Sequence, residues 1–468
     1  MSKHQLLDNV HLAASSRTNH SGLLTLTALL LGGLAVPVSA QNHPLARVAP
    51  ERQFTIPPDV PTPVVLMTEP DAACDLHAAG VNDPSHTMRL YGNIEGYVWF
   101  HFTPVQDIQD AHLQLDCTTQ ESVTTHPLHL RIAASATEDM PAPERSVPAP
   151  TGSKIRPALS DEAARKLSDE DIIAQGYPPR PHDTESPEAY IKWLGRVSRP
   201  ITILPPHSVS RSDISHSPRN VIAGPYTSTN WSGFVAQGPA GSYSMVAGDW
   251  SVPPVSADTK GVPPTYWGPS CYSSVWVGLD GNTTNDLVQA GTEQDAFFIP
   301  LSGTVTSYYA WTEVYPNQPM QELFYVTSGD PISVTVYIGD SKGNVDPSGN
   351  YAWFNILDAT AGLGLNTFTK LGKDFGFSGS SAEWIVERPY ITVLGGYPEL
   401  AQYSSFEISG ASVLPATAKK SIFYSKAENQ QITMRENYTP KPDNNVLSTV
   451  GSVTGHADSM QFFWKNFY

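Results

Sequence analysis

Between Asn230 and Val413, short apolar runs of about 5–8 residues alternate with polar positions and are separated by Gly, Asn, Asp and Pro. The runs SVWVGLD, LVQAGTE, SYYAWTEVY, ISVTVYIGD, YAWFNILDA, AEWIVER and SSFEISGASV read as strands of an antiparallel sandwich or barrel. In AEWIVER, Glu383, Ile385 and Glu387 share one face of an extended chain, and Ala382, Trp384 and Val386 share the other. The glutamate face either lies in water or lines a cleft that uses carboxylates. The tail ends in SMQFFWKNFY, which predicts a last strand at a sheet edge, so the large β domain spans 221–468.

Residues 63–135 repeat the alternation on a smaller scale (MRLYG, GYVWFHF, HLQLDC, LHLRIAA) and predict a small β domain bracketed by Cys74 and Cys117. Residues 136–220 combine a Pro/Ala/Ser-rich linker with two short helices. LSDEAARKLSDEDIIAQG predicts one helix, capped by Ser160 and stopped at Gly176. SPEAYIKWLGRVS predicts the other, with Ser186 as N-cap and Pro187 at the first helical position. Its Tyr190, Trp193, Leu194 and Val197 form one apolar stripe on a helix too short to persist alone, so the stripe is expected to dock.

The run GLLTLTALLLGGLAVPVSA, preceded by Lys3 and Arg17, predicts a secretory leader over 1–40 with cleavage after Ala40. An uncleaved anchor helix is the alternative. Residues 41–62 are Pro-rich and predict a linker. No later run reaches about 18 apolar residues, so the remainder is expected to be free of the membrane, secreted, or periplasmic in transit. An oxidising compartment would pair Cys74 with Cys117 and leave Cys271 single.

Charge narrows the partners. The net charge of −17 argues against nucleic acid and anionic membranes. Residues 221–415 hold about 17 Asp+Glu against about 5 Lys+Arg, whereas 144–220 are close to neutral. A domain poor in bases gains little positive charge when its carboxylates protonate, which suits acid, although plain solubility explains the bias equally well.

Candidate chemistry follows by elimination. Residues 221–455 contain no histidine, so a Ser-His-Asp triad or Cys-His pair would need help from outside this domain. There is no HExxH, no P-loop, no GxGxxG and no Cys/His cluster for zinc. Carboxylates remain, helped by amide, hydroxyl and indole groups. Gln289, Glu313, Asp280, Glu383 and Glu387 each sit in apolar strand contexts beside Trp, Tyr or Gly, where burial costs free energy without partners.

The motifs NWSG (230–233), WVGLDG (276–281), LVQAGTE (287–293), YAWTEVYP (309–316), GD (329–330) and AEWIVE (382–387) resemble, in order and spacing, the eqolisins, or glutamic peptidases. The resemblance covers about 228–415. It implies a concanavalin/lectin-like sandwich of two packed antiparallel sheets and a secreted endopeptidase working at acidic pH. It also implies a catalytic pair at Gln289 and Glu387, and cleft residues at Trp231, Asp280, Trp311, Glu313 and, in support, Glu383. Tyr309 stands where fungal members carry an aspartate, and the family's disulfides are absent.

The implied mechanism uses no metal and no cofactor. Glu387 acts as general base on a water, and the Gln289 amide donates to the oxyanion. Residues 41–220 would then be a removable prosegment, an intramolecular inhibitor whose near-neutral part covers an acidic cleft. The substrates would be proteins or peptides and the enzyme a monomer. Two alternatives stay open: a glycoside hydrolase using Glu383 or Glu313 with Glu387, and a carbohydrate-binding β module.

Overall fold

The computed structural model describes residues 47–48 and 53–467, apart from 59, 82, 84–85, 106, 134–149, 182–185, 223, 225, 260–269, 419–420, 424–428, 437–445 and 454–458. The leader expected at 1–40, the start of the 41–62 linker and most of the Pro-rich run therefore lie outside the described residues.

The alternating runs form an all-β sandwich. In the front sheet, Gly303–Tyr315, Leu287–Ile299, Ser270–Asp280, Ser381–Glu387, Trp231–Gln237 and Asn429–Arg435 lie side by side, each antiparallel to the next. The back sheet runs Leu363–Lys370, Tyr351–Asp358, Pro331–Gly339, Tyr243–Ser251, Phe406–Pro415 and Met460–Trp464, also antiparallel. The C-terminal run pairs with Phe406–Ile408 and with Val446–Val450, as its pattern predicts.

Period-two patterning decides what faces what. Phe234, Val275, Val277, Val288, Ala290, Ala310, Ala382, Trp384 and Val386 point from the front sheet into the core shared with the back sheet. Their neighbours Trp231, Trp276, Leu287, Tyr309, Trp311 and Ile385 form a second apolar cluster on the outer face. That outer face is the one bearing Glu383 and Glu387.

The smaller β region is joined to the sandwich. Tyr97–Pro104 pairs with Gly303–Thr306 and carries Thr62–Met67 on its other side, extending the front sheet. A five-stranded sheet packs over these strands, with a core that includes Phe297, Ile299 and Val305. Cys74 and Cys117 are register partners there and form a disulfide.

One predicted helix is two. Asp161–Lys166 is capped by Ser160 and Asp169–Ala174 by Ser168, whose side chain and backbone form a capping box with Asp171. The repeat of LSDE at 159–162 and 167–170 is the signal that was available for this break. The helix Pro187–Val197 starts at the expected proline, but Ser186 makes no side-chain cap. Tyr190, Trp193 and Val197 bury against Leu159, Ala164, Ile172 and Tyr177. After this helix, Ile201–Ile203 adds in parallel to Leu363–Gly364 at the back-sheet edge, and Arg196 pairs with Asp249. The chain then crosses to the front face.

Candidate active site

The outer face of the front sheet is covered by the chain's own residues 209–219. Val209–Arg211 adds antiparallel to Met320–Glu322, and Ile214–Ser215 adds antiparallel to Tyr390–Ile391. Backbone pairing of this kind is how an extended peptide is gripped without regard to its sequence. Arg211 is the anchor. It is buried, donates to Glu322 at 2.7 Å and to both oxygens of Asp213 at 2.9 Å, and lies over the rings of Tyr91 and Tyr309. Tyr309 thus has a partner of its own in this chain. Burial alone would raise Asp213, but the Arg211 guanidinium outweighs it and holds the carboxyl below its ordinary range.

Between these two anchors and Arg219, whose N–H donates to the Gly281 carbonyl at 3.1 Å, the segment passes directly over Gln289. The Gln289 amide Nε2 donates to the His216 carbonyl at 2.6 Å and to Glu313 Oε2 at 3.1 Å. Glu313 therefore fixes which end of the amide faces the carbonyl, since a carboxylate accepts only from the NH2 side. Glu313 Oε2 also accepts the His216 backbone N–H at 3.0 Å. Gln289 Oε1 has no protein partner.

Glu387 sits one step further along the same segment. Asn230 Nδ2 lies 3.2 Å from Glu387 Oε1, 3.2 Å from the Ser217 carbonyl and 3.3 Å from the Pro218 carbonyl. Trp276 Nε1 donates to Glu387 Oε2 at 2.9 Å, and Trp231 Nε1 donates to the Ser217 carbonyl at 3.1 Å. The Trp276 indole lies flat enough to reach Glu387 because Gly278 leaves it room: a Cβ there would come within 2.8 Å of the ring. Gln289 thus meets the His216 carbonyl directly, and Glu387 is linked to the Ser217 carbonyl through Asn230.

The His216 ring fills a pocket of its own. It stacks on Trp311 with centroids 3.9 Å apart and planes at 5°. Its Nε2 is 2.8 Å from Glu293 Oε2, and its Nδ1 is 3.3 Å from Glu313 Oε2. Trp311 is held edge-on by donating to Ser274 Oγ at 3.1 Å.

Desolvation dominates the electrostatics. Burial pushes Glu387 well above the usual carboxylate range and Glu313 adds to this, while hydrogen bonds from Asn230 and Trp276 oppose it. Burial raises Glu313, opposed by His216, and pushes Glu293 up to about 8. It lowers His216, opposed by Glu313. A carboxyl near 4.3, as expected for a solvated glutamate, does not describe Glu387 under the covering segment.

Trp231, Gln289, Trp311, Glu313 and Glu387 are thus brought together around residues 216–217. Asp280 and Glu383 are not. Asp280, at φ +70, accepts three backbone N–H groups from Ser378, Gly379 and Ser380, at 2.6, 3.0 and 2.9 Å, and serves to hold that loop. Glu383 shares the face of Glu387 but lies fully buried, near Asp280 and Arg219. Burial raises its carboxyl well above the ordinary range; the Asp280 charge adds to that, and Ser381 and Arg219 oppose it. Sequence reading missed Asn230, although it opens NWSG, and missed Glu293 and His216. Among the described residues, no group of three or more His, Cys, Asp or Glu is arranged to hold a metal ion.

Residues 229–453 match the family model described as "Peptidase A4 family". Two of the solved structures similar to this chain are peptidases bound to ligands. One is scytalido-glutamic peptidase with a transition state analog inhibitor (19% identity, 51% of this chain, 98% of that chain, TM-score 0.38). The other is SCP-B, a member of the Eqolisin family of peptidases, in a complex with the tripeptide Ala-Ile-His (16% identity, 51% and 98%, TM-score 0.35). No curated protein matches the sequence.

Proposed function

We propose that this peptidase, which belongs to the Peptidase A4 family through residues 229–453, is an acid-acting endopeptidase whose catalytic pair is Gln289 and Glu387. The observation that carries the reading is the peptide backbone lying over Gln289, with the His216 carbonyl 2.6 Å from its amide and Asn230 bridging the Ser217 carbonyl to Glu387. An oxyanion forms on such a carbonyl oxygen when water adds to its carbon. A donor already at hydrogen-bond distance stabilises that charge without reorganising.

Once the covering segment has left and water reaches it, ionised Glu387 takes a proton from the attacking water, whose oxygen bonds to the carbonyl carbon. The Gln289 NH2 donates to the oxyanion, and Gln289 Oε1, which has no protein partner, can accept from the water's second hydrogen. Protonated Glu387 then gives its proton to the departing amine. Glu313 is a positioning residue that orients the amide. Asn230 and Trp231 hold the next carbonyl, a contact that any peptide sequence offers. Protein and peptide substrates fit such a cleft, whereas a sugar has no carbonyl spacing to meet these donors.

Residues 41–220 act as an inhibitory prosegment, a reading supported by residues 209–219 lying in the cleft. Export as a zymogen, followed by action outside the membrane as a monomer, is supported by the leader-like sequence and by the Cys74–Cys117 disulfide, which needs an oxidising compartment. The test is digestion of a denatured protein across acidic pH. Wild type, Glu387→Gln and Gln289→Ala are each also made with Arg211→Ala, so that a retained segment cannot pass for lost chemistry. Cleavage surviving an aspartic-peptidase inhibitor and abolished by Glu387→Gln in both backgrounds is expected. Equal cleavage with and without Glu387 would sink the reading.

A further inference from the structure

The covering segment is bound as a substrate is bound, and not merely as a lid. Its carbonyls at 216 and 217 take the cleft's donors, its backbone N–H at 216 donates to Glu313, and its side chain at 216 fills the Trp311 pocket. We propose that the chain cuts itself at the His216–Ser217 bond, within one molecule. This inference rests on the Gln289/Glu387 reading and adds the bond and its selection.

Three observations single out that bond. The Gln289 amide is on the carbonyl of His216, while the Ser217 carbonyl is held by Trp231 and Asn230, which are tied to sheet and loop. The following bond, Ser217–Pro218, would release a tertiary-amide nitrogen that carries no hydrogen. A cut before Ser217 also leaves the family-matched region, beginning at 229, intact with a short leader of its own.

In the step, a water oxygen bonds to the His216 carbonyl carbon and the C–N bond to Ser217 breaks. The Glu387 proton goes to the Ser217 nitrogen and is replaced by one from the water, while the other water proton stays with the new His216 carboxyl. The products are a chain ending at His216 and a chain beginning with the Ser217 amine. The new carboxyl would lie beside Glu293 and Glu313, the groups that meet the His216 ring and backbone.

The experiment uses the full chain after its leader, purified at neutral pH and stepped to acid. Fragments are identified by intact mass and N-terminal sequencing, and a separate denatured protein is present in parallel samples. A new N-terminus at Ser217, appearing at a rate independent of chain concentration and absent in Glu387→Gln and in Ser217→Pro, is the expected result. Near-UV circular dichroism shows whether each variant is folded, and Glu387→Gln carries the test if Ser217→Pro is not. A rate proportional to concentration, or cuts only at other bonds, overturns the proposal. So does an uncut His216–Ser217 bond in a chain that digests the added protein, which leaves the peptidase reading standing. If neither the chain nor the added protein is cut, the peptidase reading itself falls.

Discussion

The two faces of Ser381–Glu387 belong to one strand and solve opposite problems. Ala382, Trp384 and Val386 bury in a core where many apolar neighbours share the load. Glu383, Ile385 and Glu387 are equally buried, yet two of the three are carboxylates. For Glu387, whose burial would otherwise cost free energy, the partners are one indole and one amide. The acid-rich outer face is covered by a segment from elsewhere in the chain, whose strands pair with Met320–Glu322 and Tyr390–Ile391.

The contrast can be broken most severely at Glu387. In the Arg211→Ala background, Glu387→Gln should lower kcat by about 10³–10⁴, the upper range for a general base, with an unchanged thermal transition. Trp384→Ala, on the other face, should do the reverse. It loses a fully buried indole that donates to the Ala247 carbonyl at 2.8 Å, and unfolding titrations should show about 3–5 kcal/mol of destabilisation. Arg211→Ala leaves Glu322 buried without its cation, a loss of about 3–5 kcal/mol for a broken buried pair. Hydrogen exchange at amides 209–216 should then rise about 100-fold or more, with the sandwich amides unaffected.

A subtler effect is expected from pH. His216 faces Glu293 and Glu313, with Arg211 contributing at longer range, and burial keeps its folded-state pKa below the ordinary 6.5. A group held neutral by burial loses stability to its released, protonatable form as pH falls below about 6.5, until the lowered value is passed. Asp213, held low by Arg211, acts in the same direction at lower pH, whereas the raised Glu293 and Glu313 favour the covered form in acid. His216→Phe keeps the stack on Trp311 but removes one titrating group. Exchange of the 209–219 amides against pH should show its acid-driven opening moved to lower pH. An unchanged profile would remove His216 from the acid response.

The same contrast explains what could be read in the sequence. The core face was legible because period-two alternation and the glycines between runs are local properties of each strand. Six ordered motifs pointed to Gln289, Glu387, Trp231, Trp311 and Glu313, and these lie together around residues 216–217. The motif WVGLDG pointed to the same place for Asp280, but its carboxylate meets the loop at 378–380, about 100 residues distant, which leaves no mark on that motif. His216 was hidden by the elimination argument itself. A domain free of histidine suggested that histidine had no place in the cleft, yet one reaches it from the preceding segment. The missing histidine could still come from outside the domain, and nothing in ISHSPRN shows where that segment would lie.

The central claim is that Gln289 and Glu387 act on the two ends of one peptide unit as a single device. A double-mutant cycle tests it directly, with kcat measured for Gln289→Ala, Glu387→Gln and the pair in the Arg211→Ala background. Groups acting as a unit lose their effect together, so the double variant should be no slower than Glu387→Gln alone, while Gln289→Ala by itself costs about 10²–10³. Losses that multiply in the double variant would contradict the account.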